Sequence, residues 1–87
     1  MTKDEREFLN DVKNAVSDYN CSFTHYREEH YDGTIFCVDV VVDYDEYVDN
    51  NDEIWDALLD VACDWNNGND IIDQEANVFK VGFYIDD

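Results

Sequence analysis

Near the N-terminus the apolar residues keep helical spacing. Phe8, Leu9, Val12, Ala15, Val16 and Tyr19 fall on one arc of a 3.6-residue wheel, and Glu7, Asp11 and Asp18 lie outside it. The pattern predicts a helix from about Lys3 to Tyr19. Thr2 can cap it, and Glu5 three residues on completes a capping box. The period then changes to two. CSFTHYRE and TIFCVDVVVDY read as strands, and Asp32-Gly33 between them is a hairpin signal. In the second strand Phe36, Val38, Val40, Val42 and Tyr44 share the better core face, while Cys37, Asp39, Val41 and Asp43 share the other. The first strand has two registers open to it. A two-residue loop pairs Val40 with His25, and a loop one residue longer brings Tyr26 there, which flips every side chain.

YDEYVDNND reads as a polar connection. Asn50 and Glu53 then form an N-cap and N3 pair for a second helix, which stops at Asn66-Asn67-Gly68. On its wheel Ile54, Trp55, Leu58, Leu59, Val61, Ala62 and Trp65 occupy one arc. Asp49, Asp52, Glu53, Asp56, Asp60 and Asp64 occupy another, and the two do not overlap. A loop, GNDIIDQEA, leads to a last strand, NVFKVGFYI, in which Phe79, Val81, Phe83 and Ile85 alternate with Val78, Lys80, Gly82 and Tyr84. This order predicts one α+β domain over residues 1–87, arranged α-β-β-α-β. Two helices pack on one face of a three-stranded, mainly antiparallel sheet. A right-handed crossover through the second helix places the last strand beside the first, in the order 2-1-3. The uncovered face carries Asp39, Asp43 and Tyr84.

Charge changes the picture. The chain has 87 residues, of which 45% are hydrophobic, enough for one core despite a net charge of −18. Between Glu28 and Phe79 there are sixteen acids and no Lys or Arg. Asp52, Asp56, Asp60 and Asp64 recur at every fourth position of the second helix. Solvated helix faces ordinarily mix signs, because like charges four apart cost a few tenths of a kcal/mol. The helix dipole favours acids at Asp52 and Glu53 but opposes them at Asp60 and Asp64. A row that costs the helix stability points to a partner.

The spacing suggests which partner. Residues four apart rise ~6 Å along a helix, an interval comparable with successive phosphates on a nucleic-acid strand. A protein that reads phosphates with Lys and Arg would meet carboxylates at similar places. Asp43, Asp45, Glu46 and Asp49 extend the surface before the row; Asp70, Asp73 and Glu75 extend it after. Tyr31, Tyr44 and Tyr47 are candidates for added contact area, and Tyr44 equally for closing the core. In size, charge, Asp and Asn richness and this carboxylate row, the chain resembles small acidic phage-encoded inhibitors that mimic DNA, of the anti-CRISPR and anti-restriction kind. That resemblance implies occupation of a nucleic-acid channel in a host protein, without catalysis, cofactor or direct nucleic-acid binding. Two other readings share the electrostatics: an immunity or antitoxin-type inhibitor of a basic nuclease, and a halophile-adapted acidic module.

Other chemistries fit less well. Cys21, Cys37 and Cys63 are odd in number and lack the paired spacing of a zinc site, so free thiols in a reducing cytoplasm are expected. Asp64, Asn66 and Glu75 fall at positions 1, 3 and 12 of an EF-hand-like loop. Gly68 replaces a ligand there, and a strand pattern follows where a helix is needed, so no metal is expected. No nucleophile motif or Gly-rich phosphate loop is present, and the acids look exposed rather than paired in a cleft, which argues against an enzyme. MTKDEREFLN lacks the apolar run of a secretory signal, and no segment is apolar enough to span a membrane. A homodimer, aligning two acid rows, is compatible with the pattern.

Overall fold

A computed structural model describes residues 1–67 and 71–85. The elements are α1 (Lys3–Ala15), β1 (Cys21–His30), β2 (Gly33–Val42), α2 (Tyr44–Trp65), β3 (Ile72–Glu75) and β4 (Val78–Ile85). The α+β class and the two-helix layer match the expectation. The sheet differs from it. Among the described residues it has four strands rather than three, in the order β1-β2-β4-β3 rather than 2-1-3, and every neighbouring pair is antiparallel.

The difference has a local cause. β3 lies in the stretch expected to be a loop, and it forms a hairpin with β4 through Ala76-Asn77. Ala76 takes a φ of 51°, which an alanine does not announce in sequence. With β3 as the strand that follows the α2 crossover, β4 folds back between β3 and β2. The last strand therefore borders the second strand, not the first. Asn77 fastens this arrangement: its side chain donates to the Val42 carbonyl at 2.8 Å, and its own carbonyl accepts from the Val42 N–H at 2.9 Å.

The hairpin register is neither of the two expected. The turn is Tyr31-Asp32, and Val40 pairs with Phe23. Gly33 closes the turn at φ 147°, a conformation that favours glycine. This register keeps Cys21, Phe23, His25 and Arg27 on the helix side, so Phe23 rather than His25 meets Val40.

The core lies between the helices and one sheet face. Phe36, Val38, Val40, Val42, Phe79, Val81 and Phe83 from the strands pack on Phe8, Leu9, Val12 and Val16 of the α1 region, and on Ile54 and Leu58 of α2. The capping box forms as expected. Thr2 Oγ1 accepts from the Glu5 N–H, and Glu5 Oε1 accepts from the Thr2 N–H at 2.8 Å. α1 ends at Ala15, short of Tyr19, where Ser17 and Asp18 are poor helix formers. Gly82 sits where a Cβ would stand 2.8 Å from Ile35 Cγ2 and 2.9 Å from the Phe36 carbonyl oxygen. Glycine lets Ile71 cross closely there and accept from the Gly82 N–H at 3.0 Å.

Candidate partner-binding surface

α2 begins at Tyr44, not at Asn50. The segment expected to be a connection is its first limb, and Tyr44 is the exposed first helical residue rather than a core residue of the strand. Asn50 does mark a boundary. Its φ of −127° and ψ of 20° leave the helical region, so α2 is two helical limbs joined at a kink.

The second limb carries the acid row. Ile54, Leu58 and Ala62 are fully buried, and Trp55, Val61 and Trp65 pack against the core. Trp65 lies on Phe8 and Phe83, with ring centroids 5.4 and 4.8 Å away. Asn66 locks the end of the helix. Its side-chain amide donates to the Ala62 and Gly82 carbonyls at 2.8 and 3.0 Å. With that side fixed inward, Asp52, Glu53, Asp56, Asp60 and Asp64 face water. From Asp52 to Asp64 the row runs ~18 Å at 1.5 Å per residue.

The remaining candidates divide by role. Asp43, Asp45 and Asp49 are exposed on or just before the first limb, and Asp43 occupies the N-cap without a side-chain capping bond. Glu46 is half-buried and accepts from the Asn20 N–H, and Glu53 accepts from the Tyr19 hydroxyl at 3.4 Å. These two also tie α2 to the segment after α1. Asp73 lies on the other side of the sheet, paired across from Lys80 rather than continuing the row. Asp70 lies outside the described residues.

Sequence patterning alone did not connect α1 to this surface. The two helices run antiparallel, since Asp11 accepts from Trp65 Nε1 at 2.9 Å while Tyr19 and Asn20 meet Glu53 and Glu46. Asp11 thereby borders α2. Burial, together with the negative charges of Glu53, Asp18 and Glu46, raises the pKa of the Tyr19 hydroxyl above its usual value. The acid surface thus spans both helices.

α2 carries no base; Lys3, Arg6 and Lys13 are on α1, Arg27 on β1 and Lys80 on β4. Arg27 forms a bidentate pair with Glu5 at 2.7 and 2.9 Å, Lys80 contacts Glu28 at 2.7 Å, Lys3 lies 3.9 Å from Glu7, and Lys13 stands over the Phe23 ring. On the uncovered sheet face Glu28 also meets His30 at 2.6 Å, and hydrogen bonds from Lys80 and His30 lower its pKa. A depression of about 470 Å³ there is lined by Tyr26, Asp39, Asp73, Lys80 and the Ala76-Asn77 turn. That face has mixed charge. Cys37 on the same strand face is fully buried, and burial pushes its thiol up to about 11, away from thiolate chemistry.

Exposed carboxylates in a base-free row are suited to accepting charge-assisted hydrogen bonds from Lys and Arg. They also repel one another. Replacing Asp56, Asp60 and Asp64 together with Asn will therefore leave the fold intact and stabilise the free protein by roughly 0.5–1 kcal/mol at low ionic strength. Urea unfolding with and without 0.5 M NaCl checks this: the gain shrinks in salt. A loss of stability would show that the row serves the fold itself.

Neither a family model, nor a curated protein, nor a solved structure matches this chain.

Proposed function

We propose that the chain is a nucleic-acid mimic. It binds, without catalysis, the basic nucleic-acid site of a host defence or DNA-processing protein and blocks it. The observation that carries the reading is the outward row of Asp52, Asp56, Asp60 and Asp64, on a helix whose opposite side is fixed in the core. The molecule measures 39 × 21 × 19 Å, a rod shape compatible with lying along a channel built for a strand or duplex. α2 carries acids and no base, whereas the sheet face mixes Lys80 and His30 with its acids, so the field of α2 would steer that helix toward a basic cleft. The same field repels nucleic acid itself, which makes a protein the expected partner.

Affinity capture from a host lysate, followed by elution with duplex DNA, tests the reading. The expected result is a basic nucleic-acid-binding protein released by DNA in proportion to its concentration. A specific partner whose binding DNA does not affect would overturn mimicry.

A further inference from the structure

The two edges of the sheet are built differently. β3 closes one edge with four residues, whereas β1 forms the other with ten, and no residue of β1 is buried. A very short edge strand is guarded against pairing with another chain, and a long regular one is not. The backbone of β1 has a defined outer side. The Asp43 N–H donates to the Asn20 carbonyl and the Val42 N–H to the Asn77 carbonyl, both at 2.9 Å, so successive β2 residues aim alternately at β1 and at β4. Val40, Val38 and Thr34 aim at β4 in step with Val42, and the β1 residues across from them are Phe23, His25 and Glu29. These three therefore turn their N–H and C=O groups to the open edge, and among the described residues no strand borders them there.

Charge says which strand fits that edge. α1 and β1 together hold four of the chain's five Lys and Arg and both His, against six acids, whereas α2 holds eight acids and no base. The second limb of α2 also lies toward the other edge. Trp55 and Trp65 lie against Phe79 and Phe83 of β4, and Asn51 accepts from Gln74 of β3, while Glu5 and Lys13 of α1 reach Arg27 and Phe23 of β1. We propose that β1 pairs with β1 of a second copy, antiparallel about a two-fold axis at Tyr26, and so joins two sheets into one. In that register Ser22 to His30 of each copy align. Thr24 faces Glu28 of the second copy and Phe23 faces its Glu29, so no two carboxylates stand opposite. Tyr26 faces its own counterpart as an aromatic cross-strand pair. The copies meet on their base-bearing flanks, and β4 of one lies five strand spacings, ~24 Å, from β4 of the other. That is about three Debye lengths at physiological salt, so the acid rows stand apart rather than aligned. The pairing is independent of what the acid row binds.

Sedimentation equilibrium of the full chain, from about 10 µM to about 1 mM and at about 0.15 and 0.5 M NaCl, measures the association. The native chain should pass from 10.2 kDa to twice that mass. Higher salt should move the midpoint to lower concentration, because it screens the repulsion between two acidic copies. His25→Pro removes an outward N–H and no bond of the β1-β2 ladder. The variant should keep the native circular dichroism and associate at least about tenfold more weakly. Amide hydrogen exchange of the native chain is a second reading that needs no variant. The N–H groups of Phe23, His25 and Glu29 should exchange at least about tenfold more slowly in the concentrated sample. Those of Thr24 and Tyr26, bonded to β2 in either state, should change little. If His25→Pro fails to fold, the exchange rates decide. A native chain that stays monomeric throughout, a dimer that a folded His25→Pro variant still forms, or outward amides that exchange equally fast at both concentrations would overturn the pairing.

Discussion

Phe8→Ala will cost the domain about 4 kcal/mol, measured as the free energy of urea unfolding. Phe8 is fully buried, and its ring meets Phe36, Trp65 and Phe83 at centroid distances of 6.2, 5.4 and 4.9 Å. It is the point where α1, α2 and both central strands touch, so truncation opens a cavity that no single neighbour can fill. A domain of this size has roughly 5–15 kcal/mol in all, and a charge of −18 already opposes compaction. The variant should be marginal at low ionic strength and regain part of its stability in salt. Phe8→Leu should cost less than half as much. A loss below about 1.5 kcal/mol for Phe8→Ala would show that the aromatic cluster does not hold the helices to the sheet.

The second large effect belongs to Glu5. It is 1% exposed, closes the capping box with Thr2, and receives both arms of Arg27 from β1. The Arg27 hydrogen bonds, opposed by burial and aided by Thr2, hold its carboxyl well below the usual 4.5, at about 2. Because the folded-state value is depressed, the unfolded chain binds the proton more readily. The stabilisation is therefore complete above about 4.5 and is lost as pH falls toward about 2. Arg27 is about half exposed, which screens the pair, so the contribution is about 2 kcal/mol rather than the full value of the shift. Glu5→Gln should lose about that much at pH 7 and show a correspondingly flatter decline between pH 4.5 and pH 2. An unchanged acid limb in that variant would show that the pair does not link α1 to β1.

The features legible in the sequence were those set by neighbours along the chain. The Thr2/Glu5 box, the two faces of residues 52–65 and the inward set Phe36, Val38, Val40 and Val42 all follow from local spacing, and the structure shows each. What escaped depends on contacts distant in sequence. β3 has Ile72 as its only core-facing aliphatic residue and turns through an alanine, so nothing local marks it as a strand. Without β3 the pattern points the crossover to the wrong neighbour, β1 instead of β2, and the strand order with it. Tyr44, Tyr47 and Val48 favour strands over helices by local preference, yet they form the first limb of α2.

The candidate surface divides in the same way. Asp52, Asp56, Asp60 and Asp64 were visible as a row because one helix carries them. Asp11 joins that surface only through the antiparallel packing of the helices, and Asp73 leaves it only because β3 presents that residue across from Lys80. The exposure of Tyr44 and Val48 depends on where the core ends, which no periodicity records.

The central claim is that the α2 row occupies a nucleic-acid site by charge and spacing. The most direct measurement is the affinity of the captured partner for the native chain and for the Asp56→Asn, Asp60→Asn, Asp64→Asn variant, across a range of NaCl concentrations and in competition with duplex DNA. The account predicts that the variant binds at least about tenfold more weakly at physiological salt, shows a shallower salt dependence and is displaced by less DNA. Equal affinity, salt dependence and DNA sensitivity in the two proteins would contradict it.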